Sequence, residues 1–308
     1  MHEHITRALY YFDTHLLYAS VVAVAAWALT SIRAGSATTK YWIWVVTVLN
    51  FLLPVGAVLD KLWAPHLVWA APLGIIGDFA NTVSRGPVAL TLSVVWLLGA
   101  TLMVTRLCLR IRTEHRDAQP STGQSQSRPG FLAHGVPVRF AESGHAPAVD
   151  GVLHPCISLP NGIDRLLSEH ELNAVLIHEL THARRRDNLI RLIYEACLCV
   201  LWFHPLVWIT GSRLALYREL SCDESVIQSA HGEELVSALA KLASPEKALL
   251  LQASASSFIS HRLARLAAPP QPACRAASML LTVVFSTVFL WGVFGTVAHT
   301  ACCFLAKH

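Results

Sequence analysis

Along most of this chain apolar residues fall in long blocks, not in short alternating runs. Four blocks have the roughly 20-residue length that a membrane-spanning helix needs. They run from about Leu16 to Ile32, Tyr41 to Leu59, Val88 to Leu109 and Ala277 to Ala301, and a helix is predicted over each. Tyr10, Tyr11, Tyr41, Trp42 and Trp44 cluster near ends of the first two, where amphipathic rings settle at a membrane–water boundary. Leu62 to Ala80 is also apolar, but Pro65, Pro72, Gly74, Gly77 and Asp78 break it. It reads as an interfacial excursion instead of a span.

The middle of the chain changes character. Asp117 to Gly130 is rich in Ser, Gln, Pro and Gly and reads as a flexible linker. Two short strands are expected around Val136–Phe140 and Cys156–Leu159, separated by turns containing Gly and Pro. Helical patterning then dominates to Leu266. The expectation is a mainly α, multi-span helical membrane protein that also carries an α+β domain. Its parts are a three-span region over 1–110, a linker over 111–135, an α+β domain over 136–275 and a C-terminal transmembrane helix over 276–308.

Composition sharpens this. Hydrophobic residues make up 54% and charged residues 14%, whereas soluble domains are about one quarter charged. A net charge of +4 without a long basic run argues against direct nucleic-acid binding. The eight cysteines match no zinc-knuckle or disulfide framework, and most lie in or beside apolar segments. Glu3 and Asp13 stand where a signal peptide would be basic, so no cleavable signal is expected. Arg106, Arg110, Arg112 and Arg116 follow the third block, Arg33 and Lys40 flank the first loop, and Arg275 precedes the fourth block. The positive-inside rule then places both termini outside and the region after Arg106 in the cytoplasm. The expected location is the plasma (inner) membrane, with lipid as an obligatory partner.

The chemistry concentrates in His178-Glu179-Leu180-Thr181-His182. Ser168 followed by Glu171 predicts a capped helix start. On that helix His178 and His182 are one turn apart and stack on one side, where both imidazoles reach one zinc ion. Glu179 is displaced from the ligand line yet close to where a general base for peptide hydrolysis must stand. The alternative is a helix with two surface histidines. A catalytic zinc needs a third protein ligand. Glu219 is the expected one, and Asp223, one turn on, would accept the other ring N–H of a ligand histidine. His204 is the rival third ligand, and Cys222 is expected to point away from the Glu219 face.

Five segments occur in a specific order: Cys156-Ile157-Ser158-Leu159-Pro160, His178–His182, Arg185-Arg186-Asp187-Asn188, Trp202-Phe203-His204-Pro205-Leu206-Val207-Trp208, and Arg218-Glu219 through Cys222-Asp223-Glu224. In that order and spacing the chain resembles the BlaR/MecR family of integral-membrane zinc peptidases. The resemblance is close from about Val136 to Val226 and looser over the four-span layout. It implies a gluzincin-like α+β zinc-protease domain facing the cytoplasm. The implied substrates are cytoplasmic transcriptional repressors, or the protease itself by self-cleavage. Antibiotic-sensing members carry a penicillin-binding sensor after the last span, and this chain is expected to lack one. Membrane proteases that process prenylated proteins or misfolded membrane proteins, and a non-catalytic transducer holding structural zinc, are the competing readings.

Two further expectations follow. The apolar run Leu189–Thr210 must be buried core or a re-entrant dip, because a one-way crossing would part Glu219 from the histidines. Pro205 is its natural bend. The segment Val152–Leu159 would offer a strand edge to an extended substrate. Tyr217, His204 and the arginines after His182 are the candidates for stabilising an oxyanion.

Overall fold

The apolar blocks become helices, but those helices serve different purposes. The computed structural model describes residues 2–32, 34–53, 87–117, 132–133, 135–141, 146–242 and 274–305. Helices α1 (His2–Ser31) and α2 (Ala37–Leu52) form a hairpin. Gly35 takes a positive φ of 83° in its turn, and Ser36 caps α2 by accepting the Thr39 N–H at 3.0 Å. Helix α2 ends at Leu52, short of the predicted Leu59. The end of that predicted span, the Leu62–Ala80 segment and residues 118–131 of the predicted linker lie outside the described residues.

Helix α2 is the centre of a core. Tyr41, Trp44 and Val48 are buried there against Leu214, Tyr217 and Leu220 of α7 (Pro205–Gln228) and Leu281 and Phe285 of α9 (Arg275–Leu305). Burying one aromatic side chain is worth about 2–3 kcal/mol, so this seam joins the N-terminal helices firmly to the later part of the chain. By contrast α3 (Pro87–Asp117) has no buried residue among its described side chains, and most of them are exposed. It runs past Leu109 to Asp117, so the start of the predicted linker is helical. At Gly99 it comes close to the helical corner, since a Cβ there would fall 2.1 Å from the Trp202 ring. Among the described residues two stretches are long and apolar enough to cross a membrane, Leu90–Thr113 and Arg275–Val293. These coincide with the third and fourth predicted spans. The apolar part of α1, His15–Ser31, falls short of that length, as does the 16-residue α2.

The α+β part begins with a four-stranded mixed sheet in the order β1-β2-β4-β3. Its strands are β1 (Leu132–Ala133), β2 (Val136–Ala141), β3 (Ala148–Asp150) and β4 (Cys156–Pro160). Strands β2 and β4 are parallel, and the other pairs are antiparallel. Along β4, Ile157 and Leu159 alternate inward onto Ile163 of the short α4 (Ile163–Leu166), Ala174, Val175 and Leu180 of α5 (Glu169–Arg185) and Leu235 of α8 (Gly232–Leu242). The predicted substrate edge at Val152–Leu159 needs correction. Strand β4 lies between β2 and β3, so its edges are both paired, and β3 is the outer strand.

The apolar run Leu189–Thr210 is a helical corner. Helix α6 (Asp187–Val200) ends, residues 201–204 turn, and Pro205 opens α7 at the position where its missing N–H costs nothing. Cys197, Leu198, Leu201 and Val207 are buried with Ala19, Ala23 and Phe51, while Val200, Phe203, Trp208 and Ile209 are exposed on the other side of the corner. Gly211 permits the close return, since a Cβ there would lie 2.0 Å from the Tyr194 ring. From Asp187 to Val200 the chain travels about 20 Å, and from Pro205 to Glu219 about 21 Å back. The near-equal arms bring Glu219 to the level where α6 began.

Candidate metal centre

Helix α5 starts with a complete capping box. The Ser168 hydroxyl accepts the Glu171 N–H at 3.3 Å, and the Glu171 carboxylate accepts the Ser168 N–H at 2.7 Å. Glu171 also receives bonds from Ser237 and Lys241 of α8, which fastens the helix start to that neighbour. The helix ends at Arg186, in the left-handed conformation with φ 56°, and α6 departs from it directly.

Between those ends His178 and His182 project side by side. Their Nε2 atoms lie 3.3 Å apart. Two ligand atoms about 2.05 Å from a tetrahedral zinc would be about 3.3 Å apart, so the spacing fits a shared metal ion. Glu219 arrives from α7 on the same side. Its Oε2 lies 3.7 Å from His178 Nε2, and its Oε1 lies 3.9 Å from His182 Nε2. Glu179 is buried and borders the same pocket of about 600 Å³ as both histidines and Glu219.

Carboxylates face the opposite ring edges. His178 Nδ1 sits 3.2 Å from Asp223 Oδ1, and His182 Nδ1 sits 2.7 Å from Asp187 Oδ2. A carboxylate at Nδ1 fixes a ring's orientation and leaves Nε2 for a metal. The sequence predicts Asp223 here and marks no role for Asp187. The available signal was its place at the first position after the helix-ending Arg186, five residues beyond His182. Asp187 is itself gripped by Arg185, through Nε at 3.0 Å and Nη2 at 2.6 Å.

The electrostatics follow from this crowding. Burial pulls the His178 imidazole pKa down, but Asp223, Glu219 and Glu179 overcome it and push it up to about 9. Burial opposes ionisation of Glu219, yet His178, His182 and Arg218 hold its carboxyl well below the usual glutamate range. Asp187 is likewise lowered, because bonds from His182 and Arg185 outweigh its burial. A site that so strongly favours positive charge beside Glu219 suits a cation.

Cys222 is a competing donor, since its thiol and the two histidines have ligand atoms within 4.8 Å of one another. Its Sγ faces His182 Nδ1 at 3.5 Å, the edge already held by Asp187, and accepts from Arg185 Nη2 at 3.1 Å. Glu219 faces the converging Nε2 edge and Cys222 does not. His204, the rival third ligand, is elsewhere: its Nε2 is 3.2 Å from Ser20 Oγ and its ring packs on Phe51. Tyr217 is also turned away, donating its hydroxyl to Thr30 O at 2.6 Å. Of the arginines after His182, Arg185 is committed to Asp187, and Arg186 borders the pocket.

The pocket has two further walls. Leu235, Val236 and Leu239 of α8 form an apolar side. Ala148 and Val149 of the outer strand β3 form the other. Asn188 ties that strand to the metal side by donating to Val149 O at 2.7 Å and Gly151 O at 3.0 Å.

The chain is similar in sequence to known regulatory proteins. Regulatory protein BlaR1 of Bacillus licheniformis is 41% identical over 86 residues, covering 27% of this chain and 14% of that protein. The methicillin resistance mecR1 protein of Staphylococcus aureus is 23% identical over 103 residues, covering 33% of this chain and 18% of that protein. The mecR1 protein of Staphylococcus epidermidis aligns to the same extent. Each alignment thus spans under a fifth of the relative's own length. The profile of the BlaR1 peptidase M56 family, by contrast, matches residues 14–266, most of the chain. This chain belongs to the BlaR1 peptidase M56 family of metallopeptidases.

Proposed function

We propose that the protein is a membrane-bound, zinc-dependent endopeptidase that works in regulated signalling by cleaving a cytoplasmic repressor or itself. The observation that carries the reading is the convergence of His178 Nε2, His182 Nε2 and the Glu219 carboxylate on one side of a pocket lined by Glu179. His178, His182 and Glu219 would hold the ion. Zinc in such a setting acts as a Lewis acid toward a carbonyl and makes water acidic enough to attack at neutral pH. Glu179 takes a proton from the attacking water and delivers it to the leaving amide nitrogen. Asp223 and Asp187 keep the two imidazoles turned toward the ion. Strand β3, whose Val149 and Gly151 carbonyls are held by Asn188, borders the place for an extended peptide, and the α8 wall receives an apolar side chain. The regulatory names of the relatives and the family match favour signalling over general protein turnover.

The test separates binding from chemistry. Glu179→Gln removes the base without removing a ligand, so purified full-length protein should keep its zinc. Its cleavage of a co-expressed repressor should fall about 10²- to 10⁴-fold, the usual contribution of a general base. His178→Ala should lose zinc and cleavage together. Unimpaired turnover in Glu179→Gln would remove the proposed mechanism.

A further inference from the structure

The metal site reaches beyond the α5–α7 segment that carries its motifs. Asp187 holds His182, and one of its hydrogen bonds comes from a helix of the N-terminal region. The hydroxyl of Tyr41 on α2 donates to Asp187 Oδ1 at 2.6 Å across 146 positions of sequence. Tyr41 is 0% exposed and Asp187 4%, so water cannot replace this bond. The two carboxylate oxygens are shared out completely. Oδ1 takes Tyr41 and Arg185 Nε, while Oδ2 takes Arg185 Nη2 and faces His182 Nδ1. A carboxylate has about four lone-pair sites, so removing Tyr41 leaves one buried lone pair of Oδ1 without a donor and loosens the hold that keeps the carboxylate set against His182. Tyr41 also steadies Arg185, whose guanidinium carbon lies 4.1 Å from the centre of the tyrosine ring.

We infer that Tyr41 is a positioning residue of the metal centre: through Asp187 it fixes the orientation of His182, so that α2 forms part of the zinc-binding apparatus. This rests on the zinc-site reading above. The competing account is that Tyr41 only docks α2 onto the domain. Thr38, one turn earlier on α2, distinguishes the two. It docks α2 by donating its N–H and hydroxyl to Glu224 Oε2 at 3.0 and 3.1 Å, and its hydroxyl lies 3.0 Å from Ser221 Oγ. None of these bonds is made to Asp187, and the bond that Ser221 Oγ accepts from Arg185 Nη1 at 2.6 Å does not need Thr38.

The experiment uses the full chain purified in detergent. Zinc affinity is measured by competition with a chromogenic chelator, and thermal unfolding is followed on the zinc-free protein. Tyr41→Phe keeps the ring under Arg185 and deletes only the hydroxyl. It should weaken zinc binding about 10-fold, the lower end for loss of an outer partner of a metal ligand. Thr38→Val should lower the unfolding temperature of the zinc-free protein and leave zinc affinity at the wild-type value. An unchanged zinc affinity in Tyr41→Phe would overturn the inference. So would an equal loss in Thr38→Val, because affinity would then follow helix docking in general. Asp187→Asn and His182→Ala serve as benchmarks. If neither weakens zinc binding, the zinc-site reading fails, and this inference with it. If both do while Tyr41→Phe does not, only the role of Tyr41 fails.

Discussion

Glu219 and Cys222 both stand beside the paired histidines, and the ring edge that each one faces separates them. Cys222 Sγ lies at the Nδ1 edge of His182 and accepts from Arg185, away from the converging Nε2 atoms. Glu219 is held as a carboxylate on the Nε2 edge. Glu219→Ala should therefore strip most of the zinc measured by atomic absorption on purified protein, while Cys222→Ser should retain it. A stoichiometric zinc content in Glu219→Ala would move the third-ligand role elsewhere. The candidate ligands were legible in the sequence because they lie on two helices with local, one-turn spacing: His178 with His182, and Glu219 with Asp223. Asp187 and Tyr41 were not. Nothing local marks an aspartate in a first helical turn, or a tyrosine at a helix start, as partners of a histidine. That relation exists only once α2 packs across α6 and α7.

At the scale of elements, α5 depends on its first turn as much as on its apolar face. The bond from Lys241, then those from Ser237 and the Ser168 backbone, lower the Glu171 pKa from 4.5 to about 2. A carboxylate with a depressed folded-state pKa stabilises the fold above its ordinary pKa and loses that contribution as pH falls through the folded value. The α5–α8 tie should therefore be intact above pH 4.5 and fade toward pH 2. Glu171→Gln should be less stable than wild type at neutral pH, and its unfolding temperature should fall less steeply across that window. Parallel slopes for the two proteins in an acid titration would refute the assignment. The capping box itself was visible in sequence, as was the bend at Pro205, since both are signalled by residues within a turn of one another. Strands β1 and β3 escaped notice because two or three residues are too few to show alternation. The outer strand beside the pocket was consequently misplaced onto β4.

At the scale of the whole molecule, packing gathers basic residues at one end of the helices. Ser36, at the start of α2, donates its N–H to Ser278 Oγ at 3.0 Å, so α2 and α9 begin side by side. Tyr41 then sets the start of α2 against Asp187, at the start of α6. Helix α3 runs from Trp96, which donates to Val200 O at 3.0 Å, toward Arg110, which pairs with Glu195. Its C-terminal end therefore points toward the end of α6 that carries Asp187. Lys40, Arg110, Arg112 and Arg275 thus gather toward the metal-bearing end of the helices. Basic residues flanking spans are retained on the cytoplasmic side. We expect the α1–α2 turn and the α+β part to face the cytoplasm together. Single cysteines at Ala34 and at the exposed Asp164, in a background with the native cysteines replaced by serine, test this directly. A membrane-impermeant maleimide should leave both unlabelled in intact cells and label both after permeabilisation. Labelling of either site in intact cells would invert the orientation and remove cytoplasmic proteins from the set of possible substrates.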